Sequence, residues 1–472
     1  MKELVDRARS EGKTAIVYFD PDVDGLFAGL FWVRFLMAEG IRFDTYINPE
    51  RKHGYFGGDW SDRLIVNGDF TITPAQMKEL EGEGNIVINL DHHEVPETKQ
   101  YESSRGVIIN NQFPFEDEEF RYQSGAGVVW EVLSALRPDI FLNQTDAALV
   151  GITLLSDVRD ISGDHARVFL EAAFTHPYEG YIKYLIDETR GDRDFAFGEP
   201  RLDRNYIDFK FSPKINSLLR FDGEKEAVKF ILGGGYPKDR DYQTEQRELV
   251  KSALEASGVA QKIEYPAVTF LALEGFRWGN FVGLIASRLL DEGKPVICFS
   301  HTKGRVLRAS FRGGKDLPYR EELVKEGVLD GRGHSGAFGI IGFTPNKETL
   351  REVNRVVEGL EASGKERGVK VVTVQNLGTF LNRPRGMKVA RENEYLMSAD
   401  QIFINWVGAK SRLKKTRGSS RFQEWSVDGV KVLSFDLTKD PTNALIGASL
   451  SRGRAEYILG ALKDSVELVE VE

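Results

Sequence analysis

Two stretches decide the reading of this chain: Ala15-Ile-Val-Tyr-Phe-Asp20-Pro-Asp22-Val-Asp24-Gly25 and Ile86-Val-Ile-Asn-Leu-Asp91-His92-His93. Each is a short continuous apolar run of the kind a doubly covered parallel strand shows, and each ends in hard, charge-bearing side chains. In open sheets of parallel strands, ligands bind beyond the carboxyl ends of the strands, where these clusters fall. Carboxylates with imidazole form the ligand set of a divalent-metal site, and imidazole suits manganese better than calcium. The chemistry such a site favours is metal-assisted attack of water on a phosphodiester.

The acidic string alone also fits a calcium loop, but that loop needs a bidentate Glu at its twelfth position, and counting from Asp20 this position is Phe31. Three crowded carboxylates repel one another unless a cation neutralises them. Only seven histidines occur in the chain, and two are adjacent after Asp91. Asp69 closes a third apolar run, Leu64–Gly68; alone it reads as a turn residue or helix cap, and its position between the other two clusters makes it a candidate bridging ligand. Asp157 follows the apolar run Leu149–Leu155 and has similar standing.

Outward from these stretches, the first hundred residues alternate strand and helix: strands at Ala15–Phe19, Arg42–Ile47, Arg63–Val66 and Asn85–Leu90, helices at Gly25–Glu39 and Pro74–Gly82. Helices are expected at Gly125–Leu136 and Ala147–Leu155, then a charged, less regular region over 177–210, a loop at Gly233–Pro237 and a polar helix at Tyr242–Ala256. A second α/β pattern follows, with strands at Ala267–Leu273, Pro295–Ser300 and Arg305–Phe311 and helices at Val282–Asp291 and Lys347–Leu360. Ser363–Gly368 reads as a linker into a segment of short β-like runs. The expectation is an α/β chain: a parallel-sheet domain over 1–240, a smaller α/β domain over 241–362 and a β-rich domain over 369–472 that binds single strands or a partner.

The 472 residues are 41% hydrophobic, enough for two or three domains, and the single Cys298 excludes an intramolecular disulfide. Charges among the first residues and the absence of a long apolar run predict a soluble, cytoplasmic protein with no membrane partner. The net charge of −9 is a blunt argument against nucleic-acid binding, because its distribution matters more. Between Asp400 and Glu424 there is no acid, but Lys410, Arg412, Lys414, Lys415, Arg417 and Arg421 are present, flanked by Phe403, Trp406 and Phe422. Gly331-Arg-Gly333-His334-Ser-Gly336 reads as a glycine loop able to approach a phosphate, or as a plain tight turn. Arg308-Ala-Ser310-Phe-Arg312 offers forks for phosphate oxygens, or merely solvated strand-end arginines.

Together these motifs resemble the DHH phosphoesterase family, and within it the RecJ-like single-strand exonucleases, over roughly residues 15–345. The first motif falls on Asp20–Gly25, and Pro49-Glu-Arg51-Lys-His-Gly54-Tyr55 is similar to the family's Pro-x-Arg…Glu-Gly-Tyr element. The second-motif acid falls on Asp69 and the DHH itself on Asp91–His93. A Gly-x-Gly-Val helix opening falls on Gly125–Val128 and the fourth-motif acid on Asp157. Pro213-Lys214-Ile-Asn216-Ser-Leu-Leu-Arg220 and Phe276-Arg-Trp-Gly-Asn-Phe-Val-Gly283-Leu-Ile-Ala-Ser-Arg288 are similar to the two strings that set RecJ-like members apart, and the Ser-x-Arg and GGH motifs of the DHH-associated domain fall on Ser310-Phe-Arg312 and Gly333-His334. The family histidine four residues before the second acid of the first motif is Tyr18 here, and the family's GGH is Arg332-Gly333-His334.

The resemblance implies two divalent ions, Mn2+ with Mg2+ as the alternative. Asp22 and Asp69, assisted by Asp20, would hold the first, and Asp24, Asp69, His92 and Asp157 the second. Asp91 would support the metal site by orienting His92. His93, His334, Arg308 and Arg312 would act on the phosphate, with Lys214, Asn216, Arg220, Arg288, Ser310 and Gly333 binding substrate. It further implies a 5′-to-3′ exonuclease on single-stranded DNA in repair, recombination or replication, with a single-strand-binding or replication protein as partner. Two other functions remain open: a phosphodiesterase for nanoRNA, pAp or cyclic dinucleotides, and a non-catalytic protein like the degenerate RecJ relative of the eukaryotic replicative helicase.

Overall fold

The computed structural model describes the chain apart from residues 48–54, 56, 59, 94–100, 114–119, 121–122, 158, 160–163, 191–201, 203–205, 256–259, 291–293, 314–316, 335, 364–368, 375–402, 407–413, 419–422, 428–429, 435–443, 452–453, 462–465 and 471–472. For 332–334, and for every described residue beyond 368, only the backbone is described.

Strands β1 (Ala15–Phe19), β2 (Phe43–Ile47), β3 (Leu64–Gly68), β4 (Ile86–Asp91), β5 (Tyr101–Glu102) and β6 (Gly106–Asn110) form one sheet in the order β2-β1-β3-β4-β6-β5. All neighbours are parallel except the edge pair β5–β6. Every residue of β1, β3 and β4 is buried, which is why these strands read as unbroken apolar runs. Alternate residues serve two cores. Val17, Phe19, Leu64, Val66, Ile86 and Ile88 pack on the helices Val23–Ala38, Gly125–Leu136 and Gln144–Ser156 and the helices that follow. Tyr18, Ile65, Val87 and Ile108 pack with Phe70, Met77 and Leu80 on the other face.

The expected helix Gly25–Glu39 begins earlier, at Val23, because Asp22 caps it: its side chain accepts the Gly25 N–H at 2.9 Å. Strand β4 runs one residue further than expected and takes in Asp91. Within the region expected to be less regular, Gly180–Thr189 is a helix that buries Ile182, Leu185, Ile186 and Thr189, an i, i+3, i+4, i+7 stripe that its charged neighbours mask in the sequence. Ile207–Phe211 is a π-helical turn running into the helix Ser212–Arg220.

The second sheet is ordered β11-β12-β10-β9-β8-β7. Its strands are β7 (Ala260–Glu264), β8 (Thr269–Glu274), β9 (Val296–Thr302), β10 (Arg305–Arg312), β11 (Asp330–His334) and β12 (Ala337–Ile341). Only β8–β9 is parallel. The glycine run read as a loop at 331–336 is instead largely strand β11, turning tightly into β12, with Gly333 opposite Phe338 and His334 opposite Ala337. Phe338 stacks on Phe311 at 4.8 Å, and Gly331 lies so close beneath Phe338 that a Cβ there would meet its ring at 2.5 Å.

A third sheet, mixed in direction, runs in the order β15-β16-β17-β19-β18-β14-β13-β20. Its strands are β13 (Val369–Val374), β14 (Phe403–Trp406), β15 (Lys414–Gly418), β16 (Gln423–Val427), β17 (Val430–Ser434), β18 (Ala444–Ser451), β19 (Arg454–Ala461) and β20 (Val466–Glu470). Of the basic run, Lys414, Lys415 and Arg417 fall on β15, whereas Lys410, Arg412, Arg421 and Phe422 lie outside the described residues. No described helix is long and apolar enough to cross a membrane.

Candidate metal centre

The acids gather where strand ends meet two helix N-termini. Asp20 follows β1. Asp22 is the cap and Asp24 lies in the first turn of Val23–Ala38, so these two belong to a helix start rather than to a strand end. Asp69 follows β3 with φ of 73°, a left-handed conformation that Asp tolerates at some cost. Asp157 is the C-terminal cap of the helix Gln144–Ser156, not the end of a strand.

Three groups of ligand atoms result, each within 4.8 Å: Asp20, Asp22 and Asp69; Asp24, His92 and Asp157; and Asp69, Asp91, His92 and His93. Asp69 belongs to the first and third, and its Oδ1 lies 2.9 Å from His92 Nε2. His92 Nε2 is 3.9 Å from Asp24 Oδ2, and its Nδ1 is 3.7 Å from Asp157 Oδ2.

Glycines permit this crowding. A Cβ on Gly125 would meet Asp69 Cβ at 2.5 Å, and one on Gly25 would meet Asp20 Cβ at 2.5 Å. With glycine at both places, the helix Gly125–Leu136 brings its backbone N–H groups onto Asp24: Gly125 N donates to Oδ2 at 2.6 Å and Ala126 N to Oδ1 at 2.9 Å.

Burial raises the pKa of Asp24 well above the ordinary carboxylate range, and Asp157 and Asp22 add to this. Burial does the same to Asp69, helped by Asp24, Asp22, Asp20 and Asp157. Burial holds His92 well below the usual imidazole range and so neutral. Asp69 Oδ2 and His92 Nδ1 are buried and have no hydrogen-bond partner among the described residues. A desolvated cluster of like charges, with an orphaned oxygen and an orphaned imidazole nitrogen aimed into it, is the environment a divalent cation relieves. The residues present therefore fit the ions expected from the sequence.

Asp91 departs from expectation. Its Oδ1 accepts from His93 Nδ1 at 2.9 Å and from His93 N at 3.3 Å, so it orients His93, not His92. Burial alone would raise Asp91, but the charge and hydrogen bond of His93 outweigh it and hold the carboxyl below its usual range. Conversely, burial opposes charge on His93, and Asp91 overcomes it, pushing the imidazole up to about 9. Tyr18, at the position of the family histidine, is fully buried among Phe70, Tyr46, Trp60 and Tyr55, with ring centroids 4.7 to 6.1 Å away.

A cleft of about 810 Å3 lies beside the centre, lined by Leu155 and Ser156 next to Asp157 and extending to Leu284 and Arg288 on the helix Val282–Leu290. Asn216, Arg220 and Arg288 all line it, together with Arg247 and Lys251, which the sequence reading missed; Asp208 and Glu255 are the opposing acids. Lys214 instead donates to the Thr189 carbonyl at 3.1 Å and lies over the Tyr236 ring. On β10, Arg312 donates to Ser310 Oγ at 2.8 Å and to Ser287 Oγ at 3.2 Å, while the aliphatic part of Arg308 packs beside Gly279. The side chain of His334, and Pro49 and Arg51 altogether, lie outside the described residues.

Residues 14–153 match the model of the DHH family, N-terminal domain. A curated relative, the single-stranded-DNA-specific exonuclease RecJ of Thermus thermophilus, is 25% identical over 341 residues, 64% of this chain and 46% of that protein. The solved structure of Thermus thermophilus RecJ in complex with Mn2+ superposes with a TM-score of 0.66 at 20% identity, covering 98% of this chain and 71% of that one. RecJ from the same organism in complex with Mg2+ gives 0.60 at 19% identity, covering 99% and 71%. Residues 14–153 thus carry a DHH-family N-terminal domain, and the fold is like that of RecJ. The chain spans about half the length of the curated relative it matches.

Proposed function

We propose that the chain is a divalent-metal-dependent exonuclease hydrolysing phosphodiester bonds of single-stranded DNA from the 5′ end. The observation that carries this reading is the buried acid–imidazole cluster, with a cleft lined by Arg220, Arg247, Lys251 and Arg288 whose wall includes Leu155 and Ser156 next to Asp157. Asp20, Asp22 and Asp69 would hold one ion, and Asp24, Asp69, His92 and Asp157 the other, Mn2+ or Mg2+. Such ions supply Lewis acidity toward water and phosphorus.

The chain's own residues do the rest. His93, kept charged by Asp91, donates to a phosphate oxygen as negative charge develops there. The cleft arginines hold backbone phosphates through their forked donors, and Asn216 adds a neutral contact. Arg308, Ser310 and Arg312, with Gly333 and His334 on the neighbouring hairpin, bind the phosphate from the second unit. The functional division is then 1–240 for chemistry, 241–362 for substrate and 369–472 for strand or partner binding.

The test is hydrolysis of oligonucleotides of several lengths, labelled at either end, with Mn2+, Mg2+ or EDTA. Metal-dependent release of nucleotides from the 5′ end of long single strands supports the reading. Activity confined to dinucleotides or pAp would replace it with the small-substrate phosphodiesterase.

A further inference from the structure

The ring of His93 has a rotatable partner. A carboxylate turns about its last torsion with a broad, two-fold preference, so nothing covalent keeps Asp91 Oδ1 facing the imidazole. Thr71 and Asn110 impose that orientation from outside the acid cluster. Thr71 Oγ1 donates to Asp91 Oδ2, and Asn110 Nδ2 lies 3.4 Å from the same oxygen.

Asn110 is itself fixed. It is the last residue of β6, directly opposite Asp91 in the parallel register, and it is fully buried. Its Oδ1 accepts the Gln112 N–H at 2.8 Å, which assigns the amide orientation and aims Nδ2 at Asp91 Oδ2 and at the His93 carbonyl, 3.1 Å away. Gln112 Nε2 donates to the His92 carbonyl at 3.0 Å, so the end of β6 grips both histidine backbones. With the two bonds from His93, Asp91 receives four donors, about as many as a carboxylate accepts.

We propose that Thr71 and Asn110 are positioning residues: they clamp one oxygen of Asp91 so that the other holds the His93 ring against the substrate phosphate. The inference rests on the phosphate-facing role proposed above for His93. Both reach the site through Asp91 and offer it no carboxylate or imidazole of their own, so the effect expected of them falls on the His93 ring rather than on the ion count.

The test uses the full chain with Mn2+ and a labelled oligonucleotide, comparing Thr71→Val, Thr71→Ser and Asn110→Ala in the wild-type and His93→Ala backgrounds. Thr71→Val and Asn110→Ala are expected to lower kcat about 10- to 100-fold, in the range seen for residues supporting a first ligand shell. KM and the Mn2+ stoichiometry by calorimetry stay at wild-type values, and Thr71→Ser restores the rate. In the His93→Ala background the same substitutions change the rate by less than about twofold, because the step they serve is gone. Independently of activity, the His93 Nδ1–H proton resonance, assigned by its loss in His93→Ala, is retained in Thr71→Ser and broadened by exchange in Thr71→Val. An equal fold-loss in both backgrounds, a lost ion, or an unchanged proton resonance in Thr71→Val overturns the clamp. Full activity of His93→Ala removes the role of His93 and the clamp with it. A wild-type chain that hydrolyses no oligonucleotide ends the exonuclease reading first, and this inference with it.

Discussion

Replacing Asp69 by Asn keeps an acceptor for the His92 ring but removes the negative charge shared between two ligand groups. At an effective dielectric constant of about 20, two unit charges 4.8 Å apart repel by about 3.5 kcal/mol, and Asp69 has Asp20 and Asp22 within that distance. Without metal, the cluster relieves this by holding protons, which is why burial and its neighbours raise both Asp69 and Asp24. Folded-state pKa values above the unfolded ones mean that the contribution of these groups to stability is full below the unfolded value, about 3.9 for Asp, and is lost as pH rises through the folded values. In EDTA, therefore, Asp69→Asn melts above wild type, and the gap widens as pH rises from mildly acidic to alkaline. With Mn2+ the gap narrows. An ion at 100 times its Kd adds about 2.7 kcal/mol, or roughly 5–11 °C for a unit of 150–250 residues. Wild type gains this and the variant gains a small part of it, while its turnover falls by orders of magnitude. Thermal melts across pH in EDTA and in Mn2+, paired with the oligonucleotide assay, read all three effects. An Asp69→Asn protein whose Tm climbs with Mn2+ as far as wild type's would refute the shared-ligand reasoning.

Three further outcomes follow from the packing and the chain organisation. Gly25→Ala forces a methyl to 2.5 Å from Asp20 Cβ and 2.7 Å from the Asp20 carbonyl; overpacking of this kind costs about 1–3 kcal/mol, seen as a lower urea midpoint at unchanged slope. Cys298 is fully buried, and burial pushes its thiol far up; a thiol reagent should modify it at the rate of unfolding in native buffer and at once in denaturant. Removing residues 369–472 should weaken affinity for long single strands and flatten its salt dependence while short oligonucleotides are still cleaved. A folded truncated chain with the same affinity and salt slope makes that segment a partner-docking unit instead.

Much of this architecture can be read from the chain because burial on both faces leaves an unbroken apolar imprint, as in Ala15–Phe19 and the run through Leu90. The acids after them are legible for the complementary reason, that charge at the end of such a strand has nowhere cheap to go. What stays hidden depends on register or on an unusual strand composition. Asp24 looks like a strand-end residue yet lies in the first turn of a helix, Asp157 closes another, and only their spatial convergence on His92 makes them equivalent. The hairpin at 330–341 is masked by glycines that a strand seldom carries; Gly331 is there because Phe338 leaves no room for a Cβ.

The support around Asp91 does leave a trace: a lone polar residue inside an apolar strand. Asn67 and Asn89 sit opposite each other on β3 and β4, and both donate to the Phe70 carbonyl; Asn89 also accepts the Ile72 N–H. They shape the turn that carries Asp69 and Thr71 back over the sheet. Asn110 does the same kind of work one strand further on, for His93. A buried amide costs free energy where its donors and acceptors are not met, so an asparagine in Leu-Ile-Val-Asn-Gly, Ile-Val-Ile-Asn-Leu or Val-Ile-Ile-Asn-Asn marks backbone beyond it that is held by the amide N–H, even though the Asn67 Oδ1 finds no partner among the described residues. Here each one points to a loop that bears either an acid of the metal centre or the histidine beside it.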